Sequence, residues 1–245
     1  MREWITGRNP VFEVFMAQRR QPLSLMVADG VQEKGRLDTI LTLAANRKIP
    51  ITRVPRSRLD MLSDNHQGVA LEASGYPYSA LEDILDLAKL RSEPLFVLAL
   101  DLVQNPQNLG SLLRTAEAAG VHGVLTPLAR AATVTPAVVN ASAGASEHLL
   151  VAQVNLAQAF TRLKDAGAWV IGLEGGPQSQ PLQQVRLDGP LTLVVGNEGE
   201  GLRALVRQSC DVLASLPMRG RVESLNAAVA GSIVLYMALQ ARSRL

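Results

Sequence analysis

Residues 95–100, Leu-Phe-Val-Leu-Ala-Leu, form an uninterrupted apolar run that stops at Asp101, and no other feature restricts the fold as much. Six residues without a polar member suit a strand buried on both faces, as the strands of a parallel sheet are. Further short runs of strand character lie at 121–126, 149–154, 169–173, 191–195 and 212–216. Between them the apolar spacing changes. Leu109, Leu112, Leu113 and Ala116 stand at i, i+3, i+4 and i+7, which predicts a helix over 109–119. Others are expected over 156–166 and from about 225 to 242. Strands alternating with helices indicate an α/β domain with a parallel sheet, assigned to residues 94–245.

Residues 1–75 read as a separate small α/β unit, with helices at 10–19, 36–46 and 56–62 and strands at 23–28, 49–54 and 68–73. A Gly/Pro-punctuated stretch, Ser74-Gly75-Tyr76-Pro77-Tyr78-Ser79, and an acidic helix over 81–90 make 76–93 a linker. The net charge is +2, unevenly spread. Residues 1–75 hold 11 Lys/Arg against 8 Asp/Glu, and the remainder holds 13 against 14. A basic first third suits contact with phosphate, and it equally describes a mildly basic solvated surface.

Cys210 is the single cysteine, so no intramolecular disulfide can form, which suits a reducing cytoplasm. No Cys/His spacing suggests a metal site. The start MREWITGRNP lacks the apolar core of a secretory signal. The longest nearly apolar stretch, 227–239, is interrupted by Ser232 and falls short of the ~20 residues a bilayer requires. Neither metal nor membrane is therefore expected.

In open parallel sheets, ligands bind beyond the carboxyl ends of strands, and three such ends carry unusual loops. The first runs from Asp101 to Gly110 and has no G-x-G-x-x-G, so nothing supports a dinucleotide-dependent oxidoreductase. Asn108 stands where a helix N-cap belongs. Arg114 lies about 140° around the helix from Leu109, off the apolar face and free to reach a cleft; a solvated surface presents an arginine in the same way. The second loop, Gly196-Asn197-Glu198-Gly199-Glu200-Gly201-Leu202, follows a buried strand with three glycines and two carboxylates. Glycines let backbone approach a ligand closely, or simply shape a turn. The third runs from Leu216 to Asn226 with Arg219 and Arg221, and Ser224 is positioned to open the last helix. Those arginines suit RNA phosphate.

Taken in order, these loops resemble the three motifs of the SpoU/TrmH branch of the SPOUT RNA methyltransferases. Asn108-x-Gly110-x-x-x-Arg114-Thr115-Ala116 matches the first, Gly196-x-Glu198-x-x-Gly201-Leu202 the second, and Pro217-Met218 with Ser224-Leu225-Asn226-x-x-x-Ala230 the third. Gly7-Arg8-Asn9-Pro10-Val11-x-Glu13 and His66-Gln67-Gly68-Val69 resemble the two ends of the family's L30e-like RNA-binding domain, and Ala143-Gly144-Ala145-Ser146-Glu147 a segment of its catalytic domain. Two departures are small: Asn105 stands for a commoner Asp, and Asn226-Ala227-Ala228-Val229 for Asn-Val-Ser-Val.

The resemblance implies an L30e-like first domain, a SPOUT domain closed by a C-terminal trefoil knot, and a homodimer. It implies S-adenosylmethionine-dependent 2′-O-methylation of a guanosine in 23S ribosomal RNA. Arg114 would activate the 2′-hydroxyl, either as a base or, since a guanidinium keeps its proton, as a charge that lowers the hydroxyl's pKa. Asn108, Glu198, Ser224 and Asn226 would position Arg114 and the ribose. Leu173, Gly196, Leu216, Met218 and Leu225 would line the cofactor pocket. A transfer-RNA 2′-O-methyltransferase and a non-catalytic ribosome-assembly factor remain the alternatives. Cytosine-C5 transfer would require a cysteine nucleophile, and Cys210 sits beside an expected strand. The Asn/Asp-Pro-Pro-aromatic loop of amine methylation is absent from the sequence.

Overall fold

The computed structural model describes residues 2–197 and 199–243. The chain divides into two compact units, Met1–Pro77 with Thr133–His148, and Tyr78–Ala132 with Leu149–Leu245.

The first unit runs β1 (Arg2–Thr6), α1 (Arg8–Ala17), β2 (Pro22–Ala28), α2 (Arg36–Asn46), β3 (Ile51–Val54), α3 (Arg56–Asp60) and β4 (Val69–Ser74). Its sheet has the order β1-β4-β2-β3. β4 is antiparallel to both β1 and β2, and β2 is parallel to β3. Hence β1, β2 and β3 all point their carboxyl ends the same way. β1 is missing from the sequence reading because only Ile5 and Thr6 of its five residues are buried, too short an alternation to register. α1 starts two residues earlier than its apolar pattern, at a Gly7 whose φ of 91° suits glycine.

The second unit opens with α4 (Leu81–Arg91), β5 (Phe96–Leu100), α5 (Pro106–Ala118) and β6 (Gly123–Pro127). The chain then returns to the first unit for α6 (Pro136–Ala141) and a 3-10 turn at Ala145–His148. The sequence places this stretch in the second domain, 94–245. Its placement in the first unit has a physical cause. The fully buried Glu147 carboxylate accepts from Arg20 Nε at 2.9 Å, and Arg20 Nη1 reaches Glu3 at 2.5 Å. A buried charge requires such a partner. Ser146 O accepts from the Tyr76 hydroxyl. Gly144, at φ 89°, lies so near Glu13 that a Cβ would approach its side chain to 2.7 Å.

The second unit continues with β7 (Val151–Val154), α7 (Leu156–Asp165), β8 (Trp169–Leu173), β9 (Gln180–Pro181), β10 (Leu191–Val195), α8 (Ala204–Gln208), β11 (Val212–Ser215) and α9 (Ala227–Arg242). The sheet order is β7-β6-β5-β10-β8-β11-β9, and every pairing is parallel. All residues of β5, β6 and β10 are buried, Thr126 and Thr192 among them, as strands covered on both faces require. The chain builds outward from β5 through β6 to β7, then crosses to β8 and inserts β10 between β5 and β8. The order therefore switches direction between β5 and β10, where open α/β sheets place ligands. His122 is buried; its Nδ1 accepts from Phe96 N–H at 3.0 Å and its Nε2 faces Glu93 at 3.0 Å, which fits the neutral tautomer protonated at Nε2.

Candidate active site

Three adjacent parallel strands, β10, β8 and β11, end at one edge. The loops leaving them, with the start of α9, enclose an open cleft of about 270 Å³. Leu173, Gly196, Leu216, Met218 and Leu225, the five residues expected at a cofactor, all line it, and so does Ser224.

Close backbone contact shapes the wall at Gly196, where a Cβ would stand 2.4 Å from Gly201 C and O. Asn197 and Gly201 exchange two backbone hydrogen bonds of 3.1 Å. Glu198 lies outside the described residues.

Two carboxylates that the sequence reading passed over anchor these loops. Asp101, fully buried at the end of β5, accepts from Arg203 N–H at 2.8 Å and pairs with the Arg203 guanidinium at 2.7 Å. Glu174, a cleft residue just beyond β8, accepts from Arg207 Nη2 at 2.6 Å and lies 3.4 Å from Leu202 N. The available signal was position: each is the first polar residue after an apolar strand.

The helix starts correct two expectations. Asn105, not Asn108, caps α5, its Oδ1 accepting from Gln107 N–H at 2.8 Å and Asn108 N–H at 3.4 Å. Pro106 then takes the first helical position, where its missing N–H costs nothing. Asn226, not Ser224, caps α9, its Oδ1 accepting from Ala228 and Val229 N–H at 2.9 and 3.1 Å. Ser224 is instead exposed on the cleft wall.

Asn226 Nδ2 donates to Asn108 Oδ1 at 3.2 Å, tying the first turn of α5 to the loop that lines the cleft. Along the same two helices Thr115 Oγ1 meets Ser232 Oγ at 3.0 Å. Gly231 permits the approach, since a Cβ there would stand 2.7 Å from Leu112. Arg114 is exposed on α5 and does not line the cleft. Of the four described residues expected in chemistry, Asn108 and Asn226 are therefore bonded to each other, Ser224 is on the cleft, and Arg114 stands apart from it.

Cys210 is no nucleophile. Burial pushes its thiol up to about 12, and Sγ donates to Val206 O. Among the described residues no group of three or more His, Cys, Asp or Glu could hold a metal ion. No described helix is long and apolar enough to cross a membrane. The outer face of α9 exposes Val229, Ile233 and Tyr236, three or four residues apart.

Known proteins match both units. The SpoU rRNA Methylase family matches residues 95–236, and the family described as RNA 2'-O ribose methyltransferase substrate binding matches residues 4–79. A Bacillus subtilis protein named for the TrmH family of tRNA/rRNA methyltransferases is 38% identical over 243 residues, 98% of this chain and 96% of the relative. A tRNA/rRNA methyltransferase of Mycolicibacterium vanbaalenii, itself uncharacterized, is 42% identical over 245 residues, 98% of this chain and 77% of its own. Among solved structures, the SpoU methyltransferase AviRb of Streptomyces viridochromogenes, in complex with AdoMet, superposes with a TM-score of 0.80 at 23% identity, covering 100% of this chain and 92% of the other. An AdoMet-bound rRNA methyltransferase of Sinorhizobium meliloti gives 0.79 at 24% identity, covering 98% and 87%. At these identities the superpositions establish a shared fold.

Proposed function

The chain belongs to the SpoU methylase family of RNA methyltransferases, and on that premise we propose that it methylates the ribose 2′-oxygen of a guanosine in 23S ribosomal RNA, with S-adenosylmethionine as methyl donor. The observation that carries the proposal is the cleft at the carboxyl ends of β8, β10 and β11.

Its residues fit the cofactor. Leu173, Leu216 and Leu225 offer apolar surface to an adenine, the glycine turn at 196–201 offers close backbone, and Glu174 and Glu223 bring carboxylates to the wall of a site for a cationic ligand. When bound, S-adenosylmethionine supplies an electrophilic methyl group for in-line attack.

The protein's own task is to make a ribose hydroxyl nucleophilic at neutral pH. Arg114 is assigned to that task. A guanidinium near the 2′-oxygen favours the alkoxide as it develops, without itself losing a proton, and the hydroxyl proton passes to solvent water. Asn108 and Asn226 are assigned to hold the start of α5 against the cleft, and Ser224 and Glu198 to orient the ribose. The reading includes the family's trefoil knot, a cytoplasmic setting and a homodimer. The exposed Val229, Ile233 and Tyr236 on α9, beside the helix that carries Arg114, support pairing there.

The test is methyl transfer to unmodified transcripts of 23S ribosomal RNA and transfer RNA, with mapping of the product nucleotide. A 2′-O-methylguanosine in 23S RNA is expected. Methylation confined to transfer RNA would replace the substrate, and failure to bind S-adenosylmethionine would remove the activity altogether.

A further inference from the structure

The two motifs at the ends of the first domain, Gly7-Arg8-Asn9-Pro10 and His66-Gln67-Gly68, are some sixty residues apart in sequence and build one structure. Arg8 N–H donates to Gln67 Oε1 at 2.9 Å, Arg8 Nε to Gln67 O at 3.2 Å, and Gly7 N–H to Val69 O at 3.2 Å. The fully buried His66 ring organises the turn from beneath. Its Nδ1 accepts from Gly68 N–H at 2.9 Å, which leaves Nε2 to donate to Asp60 at 2.9 Å. Gln67 and Gly68 are both left-handed, at φ 54° and 83°. Glutamine at positive φ is costly, and such strain collects at functional sites.

This turn is the floor of an open cleft of about 410 Å³ lined by Arg8, Val31, Arg56, Gln67 and Gly68. Every lining residue comes from one edge of the four-stranded sheet. Arg8 follows β1, Val31 follows β2, Arg56 follows β3, and Gln67-Gly68 precedes the antiparallel β4. The carboxyl ends of the three mutually parallel strands therefore converge on it, the position at which open sheets take ligands. The two charged side chains on its walls are both arginines. A side chain at 68 would intrude, since a Cβ there would stand 2.6 Å from Val31 Cγ2.

We propose that this cleft is a backbone subsite for the substrate RNA, with Arg8 and Arg56 gripping a phosphodiester over the Gln67-Gly68 turn. Two guanidiniums in an open trough suit a polyanion passing through. The proposal rests on the reading of the chain as an RNA methyltransferase and adds where, on the first unit, the RNA backbone is held.

The test measures binding of the full chain to unmodified 23S and transfer-RNA transcripts between 50 and 200 mM salt. Arg56 has a side chain 73% exposed and a 4.0 Å pair with the exposed Asp60, so its replacement is expected to cost little stability. Arg56→Ala is expected to weaken RNA binding about tenfold at ~0.1 M salt. It should also flatten the slope of log K against log salt by about one. Arg8→Lys, which keeps the charge but loses the planar fork, should weaken binding while leaving most of the slope. Arg2→Ala, at the amino end of β1 on the opposite edge, should change neither. In turnover, Arg56→Ala should raise KM for RNA and leave kcat and S-adenosylmethionine affinity unaltered.

Wild-type binding by both Arg56→Ala and Arg8→Lys would overturn the subsite, as would an equal loss for Arg2→Ala. If the binding pattern holds but no RNA is methylated, the subsite stands and the proposed activity falls. If methylation proceeds and the variants bind normally, the subsite alone falls. No affinity of the wild type for either RNA overturns both.

Discussion

Replacing Asn226 with alanine removes two jobs from one side chain, and the structure allows each to be sized. The cap, in which Oδ1 accepts from Ala228 and Val229 N–H, contributes about 1 kcal/mol. The bond from Nδ2 to Asn108 Oδ1 is exposed to competing water, so it adds about 0.5–1 kcal/mol. The sum, about 1.5–2 kcal/mol, corresponds to a melting temperature lower by about 3–8 °C in a chain of this size. Asn226→Asp separates the jobs. Aspartate caps as well as asparagine, and its charge gains about 0.3–1 kcal/mol at a helix N-terminus, but it has no amide to donate to Asn108. It should therefore melt within ~2 °C of wild type. If the link to Asn108 positions α5 for catalysis, Asn226→Asp should still lose methyl-transfer rate nearly as far as Asn226→Ala. The assay is a thermal melt run beside a single-turnover transfer measurement. An Asn226→Asp protein that melts as low as Asn226→Ala would refute the capping argument, and one that retains the wild-type rate would refute the positioning argument.

Gly196→Ala places a methyl 2.4 Å from Gly201 backbone and should abolish S-adenosylmethionine binding by calorimetry while far-ultraviolet circular dichroism is kept; undiminished affinity would mean the turn is not part of the cofactor site. Arg114→Ala should cut methyl transfer by about two to three orders of magnitude with a melting temperature within ~2 °C of wild type, and Arg114→Lys should recover little; a rate within about threefold would return Arg114 to the solvated surface. Burial holds the His122 imidazole below its ordinary pKa, with Glu93 opposing. Stability from the neutral ring is thus fully present above the unfolded value near 6.5 and is lost as pH falls through the folded pKa. In denaturant titrations below pH ~6.5, His122→Gln should remove part of the acid slope, and an unchanged slope would contradict this assignment.

The elements that were legible in the sequence are those whose burial is monotonous. β5 and β10, buried at every residue, end within a residue of expectation, because a strand covered on both faces is nearly all apolar, Thr192 being the one polar member of the two. The elements that were not legible draw their stability from outside themselves. β1 is an edge strand recognisable only by its pairing with β4, and α8 is five residues long with one buried side chain. The cleft was legible as a set of loops because its motifs sit directly at strand ends. The helix caps lie two or three residues from the expected ones because Asn105 and Asn108 both stand at the start of α5, and Ser224 and Asn226 at that of α9, and only the direction of the Oδ1 atoms decides which residue caps. Asp101 and Glu174 look like ordinary strand terminators until Arg203 and Arg207, both from the segment after β10, are seen to pair with them.

The excursion of residues 133–148 into the first unit limits how this protein can be recombined. A first domain made of one continuous segment could be exchanged for another by a single junction after Pro77. Here such an exchange would deliver a new partner to a segment cut for the old one. Glu147 would lose Arg20, and a buried carboxylate stripped of its partner costs about 3–5 kcal/mol. Gly144 would face something other than Glu13, the residue its missing side chain accommodates. A gene fusion, a chimera or a truncation that respects the fold must therefore move two stretches of coding sequence together, and selection on either stretch is felt by the other.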